Sequence, residues 1–173
     1  MRHANKAATK WCQNDCDAVF KGLHGSSRVR LDGGAATAAD IADPHVRTVK
    51  ATTFGRLCAA SRGLTYSAVQ LAAGVAVTRA FGFRVPTRAW LAGTAITLAT
   101  HTVIDRRRPL VAAAEALGKG AYLETATVVR APGKAPDSGG PGTALFELDQ
   151  SAYRVLGILA AAVTAVVARR GAR

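Results

Sequence analysis

His101 and Asp105 are the residues of this 173-residue chain whose types and spacing come nearest to chemistry. Four positions apart on a helix, they share one face, and they close an otherwise uncharged run that begins after Arg88. An imidazole and a carboxylate at the edge of an apolar helix can ligate a metal or relay a proton. A mononuclear metal takes three or four ligands, of which this pair supplies two. The alternative is structural: Asp105 ends the helix and pairs with Arg106, Arg107 or Arg108, and His101 bonds to a neighbouring helix. A second set, Cys12, Cys16 and His24, imitates part of a zinc site, but the spacing is not that of a standard knuckle and a fourth ligand is not evident.

Other chemistry finds little support. Gly118-Lys119-Gly120 is too short for a nucleotide-binding loop. Ser61, Ser67, Ser138 and Ser151 have no His nearby in sequence, so spacing yields no nucleophile–base arrangement. Three cysteines without repeated spacing make no disulfide framework, and reduced thiols are the plain reading. The expectation is a non-enzymatic protein with no cofactor, a divalent metal at His101 and Asp105 being the one exception entertained.

The elements that would position these residues are helices. Hydrophobic residues make up 49% of the chain but aromatics only 6%, so alanine dominates and close helix packing is favoured over a bulky sheet core. Three uncharged runs recur: 63–78 between Arg62 and Arg79, 89–104 between Arg88 and Asp105, and 155–168 between Arg154 and Arg169-Arg170. Sixteen residues rise about 24 Å as a helix, a little under the hydrocarbon thickness of a bilayer. Arginine stems at both ends can make up the deficit. The predicted fold is therefore all-α, with about three membrane spans near 64–80, 88–105 and 152–168. The last is the shortest, and a buried helix of a soluble bundle competes for it. Pro86 interrupts the short link between the first two, which makes them an antiparallel hairpin. Small residues four apart, Ala95 with Ala99 and Gly74 with Thr78, would let their backbones approach.

A polar region, 1–50, precedes the 51–173 membrane domain. In it, 7–24 reads as a short amphipathic helix and 25–50 as loop with a short helix near 36–42. Residues 110–117 read as a helix, the following YLETATVV as a short strand or extended arm, and 131–143 as a flexible, Pro- and Gly-rich linker. The N-terminus lacks an apolar signal region, so no cleavable signal peptide is expected.

The net charge of +12 points to nucleic acid or to an anionic membrane face. Because the basic residues cluster at the borders of apolar runs, lipid headgroups fit better. Arg62, Arg79, Arg88, Trp90, Arg106, Arg107, Arg108, Arg154, Arg169 and Arg170 are the predicted interface anchors. The expected partners are a bilayer with anionic headgroups and a membrane protein partner or a second copy; nucleic acid is not expected, since no aromatic platform or helix-turn-helix pattern accompanies the arginines. The basic residues are nearly balanced between the two sides, and the arrangement read from them puts the N-terminus in the cytoplasm and the C-terminus outside the cell membrane.

Several phrases, WCQNDCDAVFKGLHG at 11–25, 56–74, THTVIDRR at 100–107, EALGKGAYL at 115–123 and PGTALFELDQS at 141–151, resemble a family of small multi-pass integral membrane proteins of unknown function from actinobacteria, their plasmids and phages. The resemblance implies a membrane protein of a mobile element or phage acting through membrane or protein partners. Family members often carry histidines near the positions of Cys16, Phe20 and Ser61; of that pattern only His101 and Asp105 stand here. The resemblance thus also implies a rival reading, a degenerate membrane-embedded metal-dependent hydrolase. A soluble basic helical DNA-binding regulator is the third.

Overall fold

Proline-free runs become the three long helices, and prolines or glycines mark the turns between elements. The structure is a computed structural model that describes residues 19–170; most of the predicted 7–24 helix, with Cys12 and Cys16, lies outside those residues. Strand β1 (Arg28–Arg30), helix α1 (Ala38–Ala42) and strand β2 (Thr48–Lys50) come first. The long helices α2 (Ala51–Ala80) and α3 (Thr87–Asp105) follow, then two short ones, α4 (Arg108–Ala116) and α5 (Gly120–Thr125), and finally the long α6 (Ala144–Arg170).

β1 and β2 pair antiparallel, with Val29 opposite Val49. This ribbon is absent from the sequence reading. Each strand is three residues long, with one valine between polar neighbours, too short for period-two alternation to register. α1 forms where a short helix is expected, because Thr37 and Asp40 cap it reciprocally. Under the ribbon, Val29, Ala51, Phe54 and Cys58 form a small buried cluster joined by Phe20, Leu23 and Val49. The segment 120–125 is helical rather than a strand or an arm. Only Val128 makes an extended bridge, to Asp137. The Pro- and Gly-rich stretch that follows folds back on one guanidinium: Arg130 donates to Asp137 Oδ2 at 2.9 Å, to Gly139 O at 2.8 Å and to Pro141 O at 3.1 Å.

α3 is the central helix. α2 and α6 pack on either side of it and scarcely touch each other. The hairpin of α2 and α3 is as expected, and on α2 the expected Gly74 does meet Trp90, but on α3 the residues at the contacts are not the expected ones. Ala95 and Ala99 face outward, whereas Ala89, Gly93, Thr97 and His101 form the buried stripe. A Cβ on Gly93 would lie 2.0 Å from Thr164 Oγ1 and 3.1 Å from the Ala160 carbonyl, so glycine is what lets α6 approach. On the other side, a Cβ on Gly63 would lie 2.9 Å from Thr102 Oγ1.

Among the described residues one helix, α6, is long and apolar enough to cross a membrane by length and composition, against the expected three or so. α2 and α3 fall short because their uncharged runs are diluted: Thr94, Thr97, Thr100, His101 and Thr102 in one, Thr65, Ser67, Gln70 and Thr78 in the other. By that measure a multi-pass arrangement is not supported.

The close contact at Gly93 makes a prediction. Gly93→Leu must push α6 off α3, at a cost of about 1–3 kcal/mol for overpacking. Thermal unfolding of the purified protein should register the loss, whereas Ala95→Leu on the outward face should leave the midpoint near that of the wild type.

Candidate functional site

Asp105 is the last residue of α3, and its side chain has no exposed surface. A carboxylate without water needs cations or hydrogen-bond donors from the protein itself. Three elements supply them. Lys21, just after the short helical stretch at 19–20, donates from Nζ to Asp105 Oδ1. Tyr153 of α6 donates its hydroxyl to the same oxygen at 2.5 Å. Arg62 of α2 brings Nε to 3.4 Å from Oδ2. The cluster therefore ties the N-terminal segment and all three long helices to one side chain. Burial holds the Lys21 ammonium below the usual lysine range, against Asp105, which raises it.

The arginine run does not supply the partner that the sequence suggests. The helix stops at Asp105, and Arg107 takes a left-handed φ of 58°, which turns the chain away from the α3 axis. Arg106 donates instead to the carbonyls of Lys21 at 2.9 Å and Leu23 at 2.8 Å, holding the N-terminal segment against α2. Gly55 makes that contact possible, because a Cβ there would sit 2.4 Å from the Leu23 carbonyl. Arg107 packs on Gly22 and approaches Gly139, while Arg108 begins α4 and is exposed.

His101 does share the buried face of Asp105, four residues away. Its ring is stacked between two tyrosines, Tyr66 at a centroid distance of 4.0 Å and 28°, and Tyr153 at 4.0 Å and 7°. Beside it opens a cavity of about 720 Å³ between α2 and α6, lined at this end by Arg62, Tyr66, His101, Tyr153 and Arg154. Among the described residues no three His, Cys, Asp or Glu side chains gather as a metal would require. Both oxygens of Asp105 already face cations, so a divalent ion there would have to displace an ammonium and a guanidinium. The geometry instead suits a fixed internal charge that sets how the helices align. His24, the described member of the other candidate set, bonds through Nδ1 to the Gly22 carbonyl at 2.7 Å.

The remaining predicted anchors lie near the two ends of the bundle. Arg154 sits on the Asp105 side. Arg79 ends α2, Arg88 begins α3, Arg169 and Arg170 end α6, and the Trp90 ring covers Gly74 beside the hairpin. From the sequence, Tyr66 reads as an interface aromatic, Tyr153 as an extension of the last span and Arg62 as a lipid anchor; none of them, nor Lys21, is assigned to the site there. A signal for Tyr153 did exist: it lies one residue before a run boundary, where a polar aromatic commonly bridges apolar and charged layers.

Compared with protein-family models, curated proteins and solved structures, the chain matches none of them.

The cluster makes a prediction by double mutation. Asp105→Asn removes the carboxylate that Lys21 and Arg62 contact directly, leaving only the neighbouring Asp149 near them, and should cost about 3–5 kcal/mol, the usual penalty for breaking a buried pair. Lys21→Met alone should also destabilise, and the variant carrying both Asp105→Asn and Lys21→Met should lose less than the sum of the two. Unfolding midpoints of the three variants against the wild type measure this; additive losses would mean that the pair is not coupled.

Proposed function

We propose that the chain is a multi-pass membrane protein that acts without catalysis, through lipid and protein partners, as its resemblance to actinobacterial and phage membrane proteins suggests. The observation that carries this reading is an inverted distribution of polarity. The residues facing outward along the uncharged run of α3 are Leu91, Ala95, Ala99 and Val103. Those facing outward on α6 from 155 to 168 are all Val, Ile, Leu or Ala, and Ala160 alone in that stretch is buried. On α2 from 65 to 78, Gln70 is the one polar residue on the exposed side. The buried positions along these runs, by contrast, hold Gly63, Ser67, Ala89, Gly93, Thr97, His101, Asp105 and Ala160, all small or polar, with Ile104 the one large aliphatic among them. A water-soluble bundle buries its large apolar side chains and exposes its polar ones. Here the greasy side is outside.

The charges support the same reading. Close contacts align the three uncharged runs: Arg62 and Tyr153 both meet Asp105 at one end, and Gly74 meets Trp90 near the other. The result is an uncharged slab between two basic layers, about 21–24 Å thick from the rise of 14–16 helical residues. Threonine content is no obstacle, since several hydroxyls donate to the helix's own carbonyls: Thr100 to Ile96, Thr102 to Leu98, Thr78 to Gly74 and Thr164 to Ala160. Hydrolase and DNA-binding readings have no comparable observation behind them.

Alkaline carbonate treatment of cell membranes is the test. The full chain should stay with the membrane pellet; release into the supernatant would sink the membrane reading.

A further inference from the structure

Because α2 and α6 both pack on α3 and barely meet, a trench runs between them with α3 as its floor. At the Asp105 end it is the cavity bordered by Arg62 and Arg154. It continues, through Gln70, Gly157 and Ala161, which line both parts, into a second space of about 260 Å³ reaching Leu71 and Trp90. Three observations say that the trench is built to be filled. The Ser67 hydroxyl lines it, is 3% exposed and has no hydrogen-bond partner among the described residues, an expensive condition for a buried donor. Gly157 sits in the middle of α6, where glycine weakens a helix, yet a Cβ there would meet no atom within 4 Å. Packing against a neighbour does not explain that glycine; keeping the trench open does. Third, the charged end carries two guanidinium groups and no carboxylate in its lining; Arg62 reaches behind the wall to Asp105 through Nε, and Arg154 has no ion-pair partner among the described residues.

We propose that this trench is a binding site for one anionic phospholipid, its phosphodiester at Arg62 and Arg154 and an acyl chain lying along Gly157 toward Leu71 and Trp90. The assignment rests on the membrane reading above. A cationic mouth selects the acidic head, an open, Ala- and Gly-walled channel accepts a flexible chain, and the orphan hydroxyl of Ser67 lies along its path, within reach of ester or glycerol oxygens. A second copy of the chain would need acidic residues to meet the arginines, and the outward faces of the long helices between the basic layers offer none.

Native mass spectrometry of the full chain, released from detergent with equimolar phosphatidylglycerol and phosphatidylcholine, tests the assignment. One phosphatidylglycerol should be retained in preference by about fivefold or more, the selectivity of one or two cationic contacts. Arg154→Gln, which leaves the Asp105 cluster intact, should abolish most of that preference. Gly157→Leu adds a side chain whose Cβ meets no protein atom within 4 Å and which extends into the trench, and leucine favours the helix; it should expel the retained lipid while helix content by circular dichroism stays unchanged. Equal retention of both lipids, undiminished retention by Gly157→Leu, or a lipid-free dimer would overturn the proposal. So would displacement by millimolar inorganic phosphate, which would make the site one for a free anion. Release by carbonate defeats the membrane reading and this site together, whereas firm membrane retention without lipid preference defeats the site alone.

Discussion

The architecture depends on one buried carboxylate. Asp105 stands at the end of the central helix with no access to water, so its charge is tolerable only where Lys21, Tyr153 and Arg62 meet it. Those three residues come from three different stretches of chain. Meeting at one point fixes the rise of α2 and α6 relative to α3, and pins the segment before β1 against the foot of the bundle. A ring of interchangeable apolar contacts could not set this register, because alanine-rich faces slide past one another at little cost. A single desolvated charge penalises every register but one.

With that register set, the other features fall into layers. Basic residues gather near the foot, from Lys21 and Arg62 to Arg106 and Arg154, and again at the hairpin and the end of α6. Between them the interior is narrow and filled by small or hydroxylated residues, with Gly93 against Thr164 and Gly63 against Thr102. Helices that approach so closely leave little room for large side chains between them, so many of the leucines, valines and isoleucines point outward, while Leu98 packs against Gly63 and Ile104 is buried. Small residues at the contacts and large apolar ones outside are the pattern expected where hydrocarbon, rather than water, surrounds the bundle.

Much of this was legible in the sequence, and the rest was hidden for identifiable reasons. Charge-bounded runs gave α3 and the C-terminal parts of α2 and α6, which begin earlier, at Ala51 and Ala144; Pro86 gave the hairpin, and the spacing of His101 and Asp105 gave their common face. The partners of Asp105 were not legible, because Lys21 lies 84 residues away along the chain and local reasoning reaches for the adjacent arginines. Nothing in RRR reveals that Arg107 turns the chain aside. The packing stripe was misplaced on Ala95 and Ala99 for a related reason. In an alanine-rich helix nearly every face offers small residues four apart, and only the neighbour decides which one is used. The two-stranded ribbon fell below the length at which alternation carries information.

Averaged hydropathy conceals the property that matters most here. It counts each threonine of α3 as polar wherever it points, and so ranks α3 below α6 as a candidate span. Yet Thr100 and Thr102 return their hydroxyl protons to the carbonyls one turn back, and Thr97 is buried. What α3 presents to its surroundings is Leu91, Ala95, Ala99 and Val103. A bilayer meets the outer surface of a bundle, not its mean composition, so the polarity of the exposed stripe is the relevant quantity. On that measure α2 and α3 stand beside α6, and under the proposed multi-pass arrangement their polar residues would form the interior of the bundle. Such an interior has to satisfy its own hydrogen bonds, through back-bonded threonines, a neutralised carboxylate or a bound molecule.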